Sequence, residues 1–259
     1  PMQEFRDDLI FVGGQWQQGR GAPIRSDFAA ENTVNMTLSG ASKEDVELAI
    51  GRAQAAQSDP AWQGMKAHER AAILYRISDR LAQNKERIAW IQSRDTSKSL
   101  AETTALAASA AGTFRYFAAV LETSDDLLTV PRGDYQTSSV HEPLGLVAAI
   151  TPWNSPIASD AQKVAPALAA GNAVLLKPSS WSPLVALELA RVAEEAGLPA
   201  GLLSVLPGSG AEVGNLLVTH PDIAKLSFTG GTGTGRKLAH AAAEKLMPVT
   251  LELGGKSPS

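Results

Sequence analysis

The stretch LGLVAAITPWNSPIASDAQKVAPALAAGNAVLLKPSS, residues 144–180, decides the fold. Leu144 to Thr151 is a short apolar run with the length and composition of a buried strand. Apolar residues then recur at helical spacing from about Ile157 to Ala170, and Gly171 stands where such a helix stops. Ala173 to Lys177 is a second apolar strand. A strand, a helix and a strand in so short a span predict a parallel crossover, because two parallel strands need a connection long enough to return across the sheet.

The same rhythm continues downstream. Ser182-Pro183 predicts a helix to Ala196, with the serine as cap, the proline in the first turn and Gly197 just past the end. Strands are expected at Leu202 to Leu206, Ala224 to Phe228 and Val249 to Leu253, with helices near Glu212 to Thr219 and Gly235 to Lys245. This alternation predicts a doubly wound, Rossmann-like α/β fold, a parallel sheet covered on both faces, with the last strand as an inner element.

Upstream the pattern differs. Asp8 to Trp16 suits a hairpin around Gly13-Gly14, and a helical region follows. Ser42 with Asp45 three residues on is a capping signal ahead of Val46, Ala49, Ile50 and Ala53. Further helices are expected over Lys66 to Asn84, Lys85 to Thr96 and the alanine-rich Leu100 to Leu121. From Asp125 to Glu142 the chain turns polar, with Pro131, Gly133 and strand-compatible residues from Tyr135 to Val140, which reads as an excursion from the domain. The chain thus divides at 1–124, 125–143 and 144–259.

Composition narrows the function classes. The 259 residues, 44% of them apolar, can fill a sizeable core, and Lys plus Arg of 23 against Asp plus Glu of 27 leaves a formal charge of -4. No basic cluster is dense enough for a nucleic-acid partner. No apolar run approaches the ~20 residues of a membrane span, and Pro1-Met2-Gln3-Glu4 lacks the layout of a signal peptide. A cytoplasmic protein without a membrane partner is expected. The absence of cysteine excludes disulfides, thiolate metal sites and a cysteine nucleophile within these residues, and four scattered histidines do not make a metal site.

In doubly wound sheets ligands bind beyond the carboxyl ends of the strands. After the first strand comes Thr151-Pro152-Trp153-Asn154-Ser155-Pro156, after the second Lys177-Pro178-Ser179-Ser180, and after the third Pro207-Gly208-Ser209-Gly210 and then Gly214. The fourth precedes Thr229-Gly230-Gly231-Thr232-Gly233-Thr234-Gly235, and the fifth ends in Glu252-Leu253-Gly254-Gly255-Lys256. Singly these are weak signals. Glycines after strands are most often turns, neither cluster fits the dinucleotide fingerprint G-x-G-x-x-G, and an asparagine between prolines is more often a turn former than a catalyst.

Together, their order and spacing resemble the aldehyde dehydrogenase superfamily. The resemblance is carried by Pro152-Trp153-Asn154, Lys177-Pro178-Ser179, Phe228-Thr229-Gly230 and, most specifically, Leu251-Glu252-Leu253-Gly254-Gly255-Lys256-Ser257-Pro258. It extends to Phe114-Arg115-Tyr116-Phe117 and to His141-Glu142-Pro143-Leu144-Gly145.

The resemblance implies NAD(P)-dependent oxidation of an aldehyde. In that family a cysteine attacks the aldehyde, the thiohemiacetal gives hydride to the nicotinamide, and water cleaves the thioester. Asn154 is implied as oxyanion donor, where one preorganised donor is worth ~3 kcal/mol, and Glu252 as general base. Lys177 is implied as a hydrogen-bond donor to the adenosine ribose, and Ile150, Pro152 and Trp153 as the groove lining. Gly210, Gly214 and Gly230 would admit the cofactor or serve as packing glycines. Thr151, Ser179, Ser180, Phe228, Gly231, Thr234, Glu252, Leu253 and Gly254 complete the implied cofactor set. Residues 1–124 and 144–259 then form the coenzyme-binding domain, and 125–143 resembles the strands by which family members join subunits into homodimers or homotetramers. Family members continue into a catalytic domain with the cysteine downstream, so the chain ending at Ser259 reads as a coenzyme-binding fragment, inactive alone.

Two positions depart from the family. Ser180 stands where NAD-using members commonly carry glutamate, which removes a carboxylate that would repel the 2′-phosphate of NADP. With Lys177 on the same loop, NADP is expected to be accepted, with a lean towards it over NAD. Gly231 replaces a frequent serine, which either removes a hydroxyl contact to the pyrophosphate or leaves more room for it. Ser109, Ser155, Ser159 and Gln162 fall where relatives acting on apolar aldehydes carry larger apolar side chains, so a small polar aldehyde is expected. Two other readings stand beside this one. A non-catalytic nucleotide-binding or regulatory module would keep the fold without the chemistry, and an acyl-phosphate reductase would not be expected to keep the Glu252 motif.

Overall fold

A computed structural model describes residues 4–256. The N-terminal hairpin pairs β1 (Ile10–Val12) with β2 (Gln15–Gln17), and Val12 faces Gln15 across Gly13 and Gly14, which take the positive φ such a turn requires. A second hairpin, β3 (Pro23–Phe28) and β4 (Thr33–Ser39), forms its own two-stranded sheet. It was not anticipated from the sequence, where its polar, irregular alternation gives little strand signal.

Five helices follow: α1 (Lys43–Gln57), α2 (Pro60–Gln63), α3 (Ala67–Gln83), α4 (Lys85–Thr96) and α5 (Leu100–Thr123). Ser42 and Asp45 close the expected reciprocal cap on α1. By length and composition α5 could cross a membrane, which corrects the expectation that no run approaches that size. Alanine explains the difference, because it raises mean hydropathy without forming a bulky apolar block. In this fold α5 turns Ala107, Ala110, Ala111, Phe114 and Ala118 inward and packs against α3, α4 and α6.

Residues 125–143 leave the body of the protein as a small antiparallel pair, β5 (Leu127–Leu128) and β6 (Ser138–Ser139), with solvent on every side. The second half then alternates: β7 (Leu146–Ile150), α6 (Pro156–Ala169), β8 (Ala173–Lys177), α7 (Leu184–Glu195), β9 (Leu203–Val205), a π-turn at Gly210–Gly214, α8 (Asn215–Thr219), β10 (Ile223–Gly230), α9 (Thr232–Ala243) and β11 (Val249–Leu253). Where one continuous helix was expected from Glu212, the π-turn runs directly into α8.

The sheet order is β11-β10-β7-β8-β9-β1-β2. Strands β7 to β11 are parallel to their neighbours, as expected, and β1 adds antiparallel to β9 through Phe11 and Val205, so the complete sheet is mixed. Helices α6 and α7 cover one face, with α3, α4 and α5 outside them, and α1, α8 and α9 cover the other. Strands β7, β8 and β9 are wholly buried, whereas β11 is an exposed edge strand rather than the inner element expected.

The start of α7 also differs from expectation. Ser182 forms no cap and its buried hydroxyl has no partner. Instead Asp95, from α4, accepts hydrogen bonds from the Leu184 and Val185 amides at 2.8 and 3.3 Å. A carboxylate from a distant helix thus satisfies amides that a local serine was expected to take.

Candidate functional site

The chain runs outward from the sheet centre in opposite directions on either side of the gap between β7 and β10, so their carboxyl ends meet at a topological switch point. There Ile150 pairs with Phe228 on one side and with Lys177 on the other, while Thr229 pairs with Glu252. Register therefore lays Phe228, Ile150 and Lys177 in one row across three strands, beneath an open cleft of about 1060 Å³.

Of the residues singled out in the sequence, Ile150, Thr151, Pro152, Trp153, Asn154, Lys177, Ser179, Ser180, Gly210, Phe228, Gly230, Gly231, Thr234, Glu252, Leu253 and Gly254 all line this cleft. Gly214 does not. It is buried, and a side chain there would lie 3.7 Å from the Lys177 stem, so it packs behind a cleft residue. Gly230 also carries a packing constraint, since a Cβ would strike the Phe228 ring at 2.6 Å. At Gly210 and Gly231 a Cβ would meet nothing within 4 Å, so their backbone faces open space. Ser257 and Pro258 of the Glu252 motif lie outside the described residues, as do Pro1, Met2 and Gln3 of the start.

Asn154 and Glu252 both stand exposed at the rim, Asn154 on the turn between β7 and α6 and Glu252 on β11. Lys177 is the opposite case: it is 4% exposed, its ammonium donates to the Pro178 carbonyl at 3.0 Å, and burial pushes its pKa down to about 8. The Ser180 hydroxyl donates to the Gly208 carbonyl at 3.0 Å, so its proton is committed within the fold rather than offered to a ligand. At the other end of the cleft α9 begins after Gly231 with no side-chain cap, which leaves its first amides free to meet an anion.

The structure adds cleft residues that no sequence motif singles out, Lys163, Trp181, Ser227 and Thr250, together with Thr229 from the Phe228-Thr229-Gly230 motif. Lys163 projects from α6, is 8% exposed and donates to Ser227 at 3.1 Å. Burial lowers its pKa, while Glu252, and Asp160 when ionised, pull the other way. A signal for it existed, because Lys163 shares the helical face of Pro156 and Asp160, both buried. Of the four positions read as a polar substrate wall, only Gln162 lines the cleft. Ser155 and Ser159 are half-buried beside it, and Ser109 is exposed on α5.

A second cleft of about 750 Å³ lies against the same two indoles, Trp153 and Trp181, walled by the β3–β4 hairpin and the end of α4. Its charged groups already serve the fold. Arg25 pairs with Asp27, and Asp95 takes the Ser26 hydroxyl and the two α7 amides.

The sequence pattern of the aldehyde dehydrogenase family matches residues 16–259. Among solved structures, an aldehyde dehydrogenase from Brucella melitensis biovar abortus 2308 is 35% identical, with a TM-score of 0.93, over 96% of this chain and 52% of its own. An Escherichia coli NADP-dependent enzyme is 35% identical with a TM-score of 0.94, over 98% and 53%. A Staphylococcus aureus betaine aldehyde dehydrogenase in complex with NAD+ is 32% identical with a TM-score of 0.92, over 96% and 50%. The chain therefore spans about half the length of each protein it resembles.

Proposed function

The chain belongs to the aldehyde dehydrogenase family, and from that premise we propose that it is the coenzyme-binding portion of an NAD(P)-dependent enzyme that oxidises an aldehyde to a carboxylic acid. The observation that carries this reading is the cleft at the β7–β10 switch point, with open glycine backbone along it and Asn154 and Glu252 on its rim.

The residues present fit a dinucleotide. Gly210 and Gly231 leave backbone bare where a side chain would project into the cleft, and the uncapped start of α9 suits a pyrophosphate. Lys177 would hold the adenosine ribose, and Ile150, Pro152 and Trp153 would form the wall against which the cofactor lies. When bound, the nicotinamide supplies the hydride acceptor. Asn154 would aim its amide at oxygen charge developing on the aldehyde, and Glu252 would take a proton from the attacking water or thiol. Lys163, tied to Ser227 and lifted by the Glu252 charge, would keep a positive neighbour beside that base. With no cysteine among these 259 residues, the nucleophile has to come from elsewhere in the protein.

The finer assignments belong to the same proposal. NADP is accepted with a slight preference over NAD, because Ser180 presents no carboxylate. The substrate is a small polar aldehyde, a reading that rests on Gln162, the one proposed wall residue in the cleft. The protein is a homo-oligomer joined through residues 125–143, whose Leu127, Leu128, Val130, Tyr135 and Val140 are all largely exposed. The lack of cysteine favours one other reading, a nucleotide-binding module without catalysis.

Calorimetric titration of the chain with NAD+ and NADP+ tests the shared premise, and Gly231→Leu should abolish binding. Turnover by the protein containing this chain separates the readings: Asn154→Ala and Glu252→Gln should each cost about a hundredfold or more in kcat. No cofactor binding by chain or protein would end the proposal, and binding without turnover would favour the module.

A further inference from the structure

Beneath the turn that carries Asn154 lie two polar groups with no hydrogen-bond partner of their own. Asp160 is fully buried and neither carboxyl oxygen has a partner of normal geometry; the Thr151 hydroxyl, buried as well, has none either. They face each other, and the Thr151 hydroxyl is the strongest influence holding the acid down. Thr151 follows β7 at the root of the turn, and Asp160 sits in the second turn of α6, which receives the other end. Between them, the side chains of Trp153, Asn154 and Ser155 make no hydrogen bond among the described residues, and Ser155 does not cap α6. The two ends are held through backbone amides: Thr151 donates to the Lys177 carbonyl at 3.2 Å, Ile157 to the Gln92 side-chain oxygen at 3.0 Å, and Ser159 to the Ser155 carbonyl at 3.0 Å.

We propose that Asp160 is a positioning residue, which clasps the Thr151 hydroxyl from behind and thereby fixes the Thr151–Ser155 turn and the aim of the Asn154 amide. The purpose of that aim rests on the function proposed above; the clasp itself does not. Two charged groups face Asp160, Asp95 from α4 and Lys163 one turn further along α6, and neither pairs with it. Asp95 is already engaged by Ser26, Leu184 and Val185, and Lys163 by Ser227. No other element packed on α6 brings a titratable group to it among the described residues. Burial pushes the Asp160 carboxyl up to about 7, against the Thr151 hydroxyl, which favours the ionised form; below that range the acid carries a proton of its own, which the Thr151 oxygen can accept. Ionisation above that range reverses the hydrogen bond, with the Thr151 hydroxyl now donating to the carboxylate, and places a charge where no cation is paired with it.

The test is made on the full chain by following the Asn154 side-chain amide and the Trp153 indole in nitrogen-15 spectra, assigned with Asn154→Asp and Trp153→Phe. In wild type both signals should shift with a midpoint near pH 7, and in Asp160→Asn, which keeps the shape and the hydrogen bond, the Asn154 signal should stay constant with pH, while Trp153, which shares a cleft with Asp95, keeps only the part of its shift due to that acid. Asp160→Leu should move both signals at every pH and weaken NADP+ binding about three- to tenfold, and adding Thr151→Val should do no further harm, as expected of a coupled pair. Circular dichroism checks folding. If Asp160→Leu does not fold, the comparison of wild type with Asp160→Asn decides alone. Signals that are flat from pH 5.5 to 8.5 in wild type, or unmoved by Asp160→Leu, overturn the proposal. If wild type binds no cofactor, the functional reading fails while the spectra still decide the clasp.

Discussion

The Ser180 hydroxyl donates to the Gly208 carbonyl at 3.0 Å, tying the loop after β8 to the loop after β9 at the edge of the cleft. On the proposed reading, Ser180 would therefore act on cofactor choice through the charge it lacks more than through a hydrogen bond it could give. Ser180→Glu places a carboxylate beside the expected site of the 2′-phosphate. The ratio of NADP+ to NAD+ affinity should fall about tenfold or more, equivalent to ~1.4 kcal/mol. Ser180→Ala, which adds no charge, should leave the ratio within about threefold. Titration of each variant with both dinucleotides checks this, and an unchanged ratio in Ser180→Glu would remove Ser180 from the account of specificity.

Glycines at the cleft separate into two kinds that substitution should tell apart. A Cβ on Gly230 would meet the buried Phe228 ring at 2.6 Å, so Gly230→Ala should destabilise the fold by about 1–3 kcal/mol. Gly210→Ala and Gly231→Ala meet no atom and should leave the melting temperature within a degree or two, while weakening cofactor binding. Thermal melts beside titrations give both readings. Equal stability loss in all three variants would contradict the distinction.

Lys177 sits in the fold at a cost. Burial holds its pKa near 8 against an ordinary 10.5, so the folded chain binds the proton less tightly than the unfolded one. Below about pH 8 this opposes folding, and the opposition fades as pH rises towards 10.5. Lys177→Met should therefore raise stability at pH 7 by about 1–3 kcal/mol and lower dinucleotide affinity about tenfold. Denaturant melts at pH 7 and pH 10 check the first part: the gain should shrink at the higher pH.

Asp95 and Asp160 give the opposite pH dependence. Burial raises both to about 7, above the 3.8 of an ordinary aspartate. Between those values the folded chain keeps protons that the unfolded chain has released, so their contribution is fully present below about pH 4 and is lost as pH rises through 7. One such acid changes stability by up to ~4 kcal/mol across that window. Asp160→Asn should be more stable than wild type at pH 8 and close to it at pH 4.5. A constant difference across that range would show that Asp160 does not titrate as described.

The exposed strands β5 and β6 predict association. Leu128→Glu together with Val140→Glu should shift the protein containing this chain to smaller species in sedimentation velocity, with secondary structure unchanged. An unaltered distribution would place the subunit contacts elsewhere.

Much of the second half is legible in the sequence, because β7, α6 and β8 announce themselves by local pattern. Apolar runs of strand length, a helical period and a glycine stop are all properties of neighbours in sequence. The β3–β4 hairpin escaped notice because its pattern is neither apolar nor regular, and it rests on a distant helix: Ser26 donates to Asp95 on α4.

The family, the parallel crossovers and the loops that carry the site were determined by the sequence alone, since short motifs after strands keep their identity and order without reference to what surrounds them. Only the tertiary structure decided which of those residues share a cleft, that Gly214 lies behind Lys177, and that Lys163 belongs beside Glu252. It also decided that Asp95 rather than Ser182 caps α7, and that Asp160 and Thr151 meet in a dry interior. These depend on distances between residues far apart in the chain and on the exclusion of water, which acts on a side chain only after the sheet and its covering helices have closed around it.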